Sequence, residues 1–311
     1  MENVIIGIDA GKWSTIAESK LGGCYFRTKV DESPDDLLGS ETESSKVEIN
    51  NCIYTIGAEA IQADYDTSKA TLHHKLAVYT AIAKILNGKY KNVYLVVGCP
   101  ASIYKNTKLR NEYRDFLLSN RAISIRVNGV NNQFFIKDII LAPETIGYPY
   151  QNIESSKNQL QGVIDIGGLN TNGCIYDGLS PIKDTMFTIN LGSYILFNKI
   201  KNELSTQLNQ NIQDYEIPYL IKDCPSVKGT AIIKSILNEH ISRIKDETKK
   251  NNWNIKGLKL RFIGGGSLDL QDEINKAFDN PTISGSAVRA NAQAFLKVGE
   301  IYYAQKLGKT N

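Results

Sequence analysis

Asn3-Val-Ile-Ile-Gly-Ile-Asp9-Ala-Gly11-Lys12 and Gly162-Val-Ile-Asp165-Ile-Gly167-Gly168 are two versions of one phrase. In each, an apolar run of strand length ends in an aspartate followed by glycine. A run that is apolar on both faces suits a strand buried in a sheet covered on both sides. The aspartate then falls at the carboxyl end of its strand, the edge at which open α/β sheets bind ligands. The glycine permits positive φ and lets backbone N–H groups approach a phosphate closely. Either phrase alone reads as an ordinary hairpin turn. Their recurrence half a chain apart, each followed by a further extended segment (Thr15–Glu18 and Gly173–Tyr176), implies two halves built on one plan.

Two carboxylates beside a polyphosphate repel it, so the arrangement makes chemical sense with a cation between them. Mg²⁺ keeps several waters and takes one or two carboxylates, so Asp9 and Asp165 are expected to hold it mainly through water. Gly11, Gly167, Gly168 and Asn170 are the expected phosphate donors, with Lys12 as a point cation. A third element, Gly264-Gly-Gly-Ser267, follows the apolar run Leu258–Ile263. Glycines Gly264, Gly265 and Gly266 let backbone lie against a base or ribose. Neither dinucleotide-fold spacing nor a P-loop ending is present. Gly192-Ser193 opens a helix whose N–H groups suit an anion, although Ser193 also reads as a simple N-cap. Glu144, in Leu141-Ala-Pro-Glu-Thr-Ile-Gly147, lies where one half passes into the other. A carboxylate there suits the orienting of water for attack on a terminal phosphate. Its local sequence also fits a helix start, with Pro at N1 and Glu in the first turn.

Around these motifs the pattern is α/β. Strands are expected at Val4–Ile8, Thr15–Glu18, Cys24–Val30, Val93–Val97, Ile123–Val127 and Phe134–Leu141, with a hairpin turning at Asn50-Asn51. Ser33–Ser45 reads as a polar, acidic, mobile loop, and Gln151–Gln161 as a second loop. Helices are expected over Ser68–Leu86, Tyr104–Ser119, Ser193–Thr206, Tyr215–Lys222 and Lys228–Thr248, from near Leu270, and from about Ser286 to the end.

Composition narrows the classes. The 42% hydrophobic and 22% charged fractions are those of a soluble globular chain, and a net charge of +3 does not mark a DNA binder. Five scattered cysteines without a C-x-x-C pair argue against zinc and against a disulfide framework. Three dispersed histidines argue against a metal cluster, and His73-His74 reads as a surface or packing pair in a helix. Without a membrane-length apolar run or a signal core, the expected location is cytoplasmic, with no membrane partner.

In this order, the elements resemble the actin, Hsp70 and sugar-kinase superfamily. Asp9–Lys12 resembles its first phosphate motif, Asp165–Gly168 its second, and Gly264–Ser267 its adenosine motif. Leu141–Gly147 and Ala290-Asn-Ala-Gln-Ala-Phe295 resemble the two connections between lobes. Within the superfamily the chain looks most like the ParM-type plasmid-segregation actins, on Asp-Ala-Gly-Lys, Ala-Pro-Glu-Thr, Asp-Ile-Gly-Gly and the Tyr54-Thr-Ile-Gly57-Ala-Glu hairpin. Leu169 and Lys12-Trp13 depart from the hydroxyl residues common in relatives. The resemblance implies a two-lobed actin-like, ribonuclease H-like α/β fold with the nucleotide in an interlobe cleft. It implies lobes of residues 1–147 plus 296–311 and of 148–295. It implies ATP or GTP with Mg²⁺, Glu144 assisting hydrolysis, and Asp9 and Asp165 serving the metal–nucleotide. It also implies self-assembly into filaments and a ParR-like adaptor as the link to DNA. A small-molecule kinase of the same superfamily is the alternative, with Asp115 and Asp138 as its available bases, and a cell-shape actin homologue is another.

Overall fold

The structure, a computed structural model, describes residues 2–32, 43–64, 66 and 68–307. The chain divides into two compact units, residues 1–157 with 289–311, and residues 158–288. The boundaries fall ten residues later and seven earlier than those expected from the sequence. Short helices after residue 147 and the helix from residue 290 pack on the first unit.

The first unit runs β1 (Asn3–Ala10), β2 (Ser14–Ser19), β3 (Gly22–Arg27), β4 (Val30–Glu32), β5 (Ser44–Ile49), β6 (Cys52–Gly57), α1 (Leu72–Leu86), β7 (Lys91–Cys99), α2 (Ala101–Lys105), α3 (Thr107–Leu118), β8 (Ala122–Val127), β9 (Val130–Pro143), α4 (Gly147–Gln151) and α5 (Ile153–Ser156). The second runs β10 (Leu160–Ile166), β11 (Thr171–Asp177), β12 (Ser180–Ile189), α6 (Ser193–Leu208), α7 (Ile217–Lys222), α8 (Val227–Lys250), β13 (Lys259–Ile263), α9 (Gly265–Asp269), α10 (Gln271–Ala277) and β14 (Thr282–Ile283). Helix α11 (Ala290–Leu307) returns to the first unit.

The repeated phrase has become a repeated sheet. In the first unit β3-β2-β1-β7-β9 lie in that order, with β8, β5, β6 and β4 extending the far edge; in the second the order is β12-β11-β10-β13-β14. Both begin as an antiparallel three-strand meander, then add two parallel strands. The fold is mixed α/β in both units. Each unit buries its own core, built on Ile6, Ile8, Leu95, Ile82 and Phe134 in the first and on Ile164, Phe262, Ile200, Ile241 and Ile244 in the second.

Several elements differ from their sequence reading for identifiable reasons. The first long helix starts at Leu72 rather than Ser68. Asp66, Ser68 and Thr71 each turn a side-chain oxygen onto a following backbone N–H, and Thr71 caps the helix. The helix expected over 104–119 breaks in two at Asn106, whose side chain accepts from Lys108 N and Leu109 N and caps α3. The expected loop at 151–161 holds α5 and the start of β10. Edge strand β12 lacks an apolar alternation to announce it, as an edge carrying Pro181, Lys183 and Asp184 needs none. Of the expected loop 33–45, residues 33–42 lie outside the described residues, and Ser44-Ser45 already belong to β5. The hairpin at Asn50-Asn51 forms as read, both residues with positive φ (52° and 64°) as a type I′ turn requires. No helix among the described residues is long and apolar enough to cross a membrane.

Gly7 is the point on which the first unit closes. A Cβ there would stand 2.3 Å from Leu296 N and 2.5 Å from Ala292 O, so its absence lets the backbone of α11 lie directly on β1. Gly7→Ala is expected to force the two elements apart. Overpacking of this kind costs ~2 kcal/mol or more, enough to lower the thermal midpoint of a unit this size by at least ~4 °C. A melt followed by circular dichroism measures it; an unchanged midpoint would show that α11 does not rest on β1.

Candidate functional site

Strand direction assembles the first residue set. β1, β7 and β9 are parallel, with Ile8 opposite Val97, Val97 opposite Leu141 and Cys99 opposite Pro143. Their carboxyl ends therefore share one edge, and Asp9 and Glu144 emerge there together although 135 residues separate them (144 − 9). Lys69, which the sequence reading did not single out, lies with them. Its ammonium donates to Ala10 O at 2.7 Å and pairs with Glu144 Oε1 at 2.9 Å; Lys69 and Glu144 are only 4% and 6% exposed. Asn291, from the first turn of α11, completes the group. Its Nδ2 donates to Glu144 O (2.9 Å), its Oδ1 accepts from Gly147 N (3.2 Å), and its side chain also hydrogen-bonds the Asp9 carboxylate.

The electrostatics follow. Burial, and then the Glu144 carboxylate, push the Asp9 carboxyl up to about 7, against the opposing pull of Lys69 and the Asn291 bond. Burial works to lower Lys69, but Glu144 and Asp9 outweigh it and hold the ammonium above its ordinary value. Lys12 places its ammonium on Asp64 Oδ2 (2.6 Å) and Ser68 O (2.8 Å), beside the first turn. Trp13 beside it is stacked under the Arg27 guanidinium, 3.4 Å from the ring centre. Gly11 N donates to Ser14 O, closing the β1–β2 turn.

The second unit gathers its own set by the same logic. β10 and β13 are parallel, with Asp165 opposite Ile263, so Asp165 and Gly264 leave the sheet at one edge. Gly264 has φ +84°, and a Cβ on it would stand 2.3 Å from Asp165 Oδ1 and 2.4 Å from Ile166 O. Only glycine lets the loop rest against that carboxylate. The Gly167–Asn170 turn closes through Gly167 N to Asn170 O (2.9 Å). Its carbonyls accept from the start of α6, Ser193 N to Gly167 O (3.0 Å), Tyr194 N to Gly168 O (2.8 Å) and Gly192 N to Leu169 O (3.0 Å). These amides of Gly192 and Ser193 thus hold the turn. The Ser193 hydroxyl bonds Asp269, whose carboxyl is raised chiefly by burial. Gly266 packs against Ile166 and Ser193, Ser267 hydroxyl bonds Ile263 O, and a Cβ on Gly265 would meet nothing within 4 Å. Every residue singled out in this half therefore converges on one sheet edge.

Other candidates fall away from these sets. Asp138 is held below the usual carboxylate range, despite burial, by Lys306 and Arg114; Asp115 lies exposed on α3. His74 is buried against the Tyr113 hydroxyl, and burial also pushes His240 down to about 4, so both are neutral packing groups. Among the described residues no three His, Cys, Asp or Glu side chains form a metal cage. Asp9 and Asp165 each present one carboxylate at a strand end of their own unit, and a cation beside Asp9 would offset the burial and the Glu144 charge that raise it.

With this geometry, known proteins supply a class. Residues 7–147 match the family described as "Actin like proteins N terminal domain". The Alp12 filament structure is 27% identical, with 97% of this chain and 100% of that chain covered and a TM-score of 0.73. The archaeal actin homolog Ta0583 in complex with ADP is 15% identical over 96% and 99% of the two chains, TM-score 0.77. ParM from the 15-stranded filament of Clostridium botulinum is 14% identical over 97% and 100%, TM-score 0.76. No curated protein matches the sequence. The chain therefore carries an actin-like fold, and its residues 7–147 match the actin-like N-terminal family.

The Asp9 acidity has a measurable consequence. Between its ordinary value of 3.8 and about 7 the folded chain binds a proton that the unfolded chain has released, so stability falls as pH rises through that window. Asp9→Asn removes the titrating group. The variant is expected to match wild type near pH 4 and to become the more stable of the two above pH 7. Three pK units bound the difference at ~4 kcal/mol, and solvent screening of this half-buried group brings it nearer ~1–3 kcal/mol. Urea unfolding of the ligand-free proteins across pH measures it; a difference that does not vary with pH would contradict the assignment.

Proposed function

We propose that the chain is an actin-like nucleotide hydrolase that binds ATP or GTP with Mg²⁺ and polymerises into nucleotide-dependent filaments. In the same reading the filaments act in the cytoplasm to segregate plasmid DNA, reaching it through a ParR-like DNA-binding adaptor. The observation that carries the proposal is the repeated placement of an aspartate at a carboxyl strand end, Asp9 beside Glu144 in one unit and Asp165 beside the Gly264–Ser267 loop in the other. The likeness over nearly full length to a chain solved as a filament, and to one solved with ADP, supports both halves of the reading.

In this proposal Gly11, Gly167, Gly168 and Asn170 contact phosphates, and the Gly264–Ser267 loop takes the nucleoside. Asp9 and Asp165 hold Mg²⁺ through water, and that ion supplies charge neutralisation when bound. Glu144 accepts a hydrogen bond from the attacking water and so directs its oxygen at the terminal phosphorus. The water oxygen bonds the terminal phosphorus as the phosphoanhydride bond breaks, its proton passing to the Glu144 carboxylate and on to the released phosphate, which leaves inorganic phosphate and the nucleoside diphosphate. The kinase alternative needs a poised general base, and Asp138, held at low pKa by two cations, is not one.

Light scattering and phosphate release with Mg²⁺-ATP or Mg²⁺-GTP at micromolar protein test the reading together. Wild type is expected to show a nucleotide-dependent rise in scattering followed by phosphate release. Glu144→Gln, which keeps an acceptor for Lys69, is expected to retain the rise and to lower phosphate release ~100-fold or more, the usual scale for losing a proton-accepting group. No rise with either nucleotide would count against assembly. Undiminished release by the variant would remove Glu144 from the chemistry.

A further inference from the structure

Lys69 is an unusual residue to find where it is. Lysine is almost never fully buried without a partner. This one is 4% exposed, its ammonium fixed at 2.7 Å from Ala10 O and 2.9 Å from Glu144 Oε1, with the Asp9 carboxylate near enough to raise its basicity. It thereby ties the end of β1 to the residue that follows β9.

The segment around it is tied down as well: Asp66 Oδ1 accepts from Ser68 N, Ser68 Oγ accepts from Ala70 N, and Thr71 caps α1 two residues on. Asp64 Oδ2 accepts from both Thr71 Oγ1 (2.6 Å) and Lys12 Nζ (2.6 Å). The first-loop lysine is thus the anchor of the segment that carries Lys69, and Lys69 is the cation that meets the carboxylates. A buried pair of this kind adds little net stability compared with apolar packing, because both charges leave water. What it fixes is direction. A carboxylate on a Glu side chain has three torsions to order, and here one oxygen is pinned by an ammonium that is itself pinned to a strand end.

We propose that Lys69 is a positioning residue of the hydrolytic site, setting the Glu144 carboxylate in the orientation from which it directs water at a terminal phosphate. The inference rests on the hydrolase reading above and names a residue that reading does not require. Lys69 acts through Glu144. Its removal therefore changes turnover while leaving nucleotide binding, which rests on other residues, in place.

The test uses the full chain with Lys69→Met, Lys69→Arg and the double variant Lys69→Met/Glu144→Gln. Lys69→Met is expected to lower kcat for phosphate release ~100-fold, the scale of a small misplacement of a reacting group, with KM for Mg²⁺-ATP within ~3-fold of wild type. Lys69→Arg keeps the charge but holds it in a different geometry, and is expected to recover ~10-fold of that loss while staying ~10-fold below wild type. A readout independent of turnover comes from the ligand-free proteins. Lys69→Met leaves Glu144 buried without its cation and is expected to unfold at lower urea, and adding Glu144→Gln is expected to restore the midpoint. If Lys69→Met fails to fold, Lys69→Arg decides. A lowered kcat at unchanged KM supports the proposal, and a kcat equal to wild type overturns it. A wild-type protein that releases phosphate while Lys69→Met matches it within ~3-fold overturns the role of Lys69 alone. A wild-type protein that releases none overturns the hydrolase reading itself, and with it this role.

Discussion

The ion pair between Lys69 and Glu144 is the constraint around which the first unit is organised. It joins three segments far apart in sequence: the end of β1 through Ala10 O, the turn before α1 through Lys69, and the end of β9 through Glu144. Asn291 adds α11 as a fourth. Desolvating two charges is expensive unless the remaining donors and acceptors are met. Here the ammonium meets Ala10 O as well as Glu144 Oε1, and Asn291 takes up the Glu144 carbonyl, while burial raises the neighbouring Asp9 carboxyl. An acid pushed to about 7 by burial first and by the Glu144 carboxylate second is one whose charge a cation would offset.

Topology explains why this chemistry appears twice. In each unit a three-strand meander is followed by two parallel strands, and a parallel pair delivers its carboxyl ends to one edge. At that edge the first unit sets a carboxylate pair with a lysine, and the second sets Asp165 against a glycine loop. The shared strand order with different furnishings is what a duplicated plan with divided roles looks like. The two glycines that the packing demands, Gly7 under α11 and Gly264 against Asp165, stand where backbone must approach backbone or carboxylate more closely than any side chain allows.

Much of this was legible in the sequence, and the reasons are physical. Asp9 and Asp165 announce themselves because a doubly buried strand leaves a continuous apolar run, and a charged residue at its end has few other places to go. The triple glycine and the Asn50-Asn51 hairpin signal through backbone requirements, which are local. Lys69 was not legible. It sits in a polar stretch between a strand and a helix, and its partner Glu144 is distant in the chain, so only the sheet register brings them together. Asn291 left a fainter trace, one of two amides in the alanine-rich run Ala290–Phe295 and the one that is buried, with Gln293 exposed. Lys12 was legible as a cation beside the first turn, yet its ammonium lies on Asp64, a choice made by tertiary packing. The start of α1 and the break at Asn106 were set by side-chain capping that helical periodicity does not register.

The claim underneath the functional account is that both aspartates serve one metal–nucleotide. The most direct measurement is the equilibrium affinity for ATP, with Mg²⁺ and with chelator, in wild type and in Asp9→Asn and Asp165→Asn. The account predicts that Mg²⁺ strengthens binding to wild type and that either substitution removes much of that gain. An equal Mg²⁺ effect in all three proteins would contradict it.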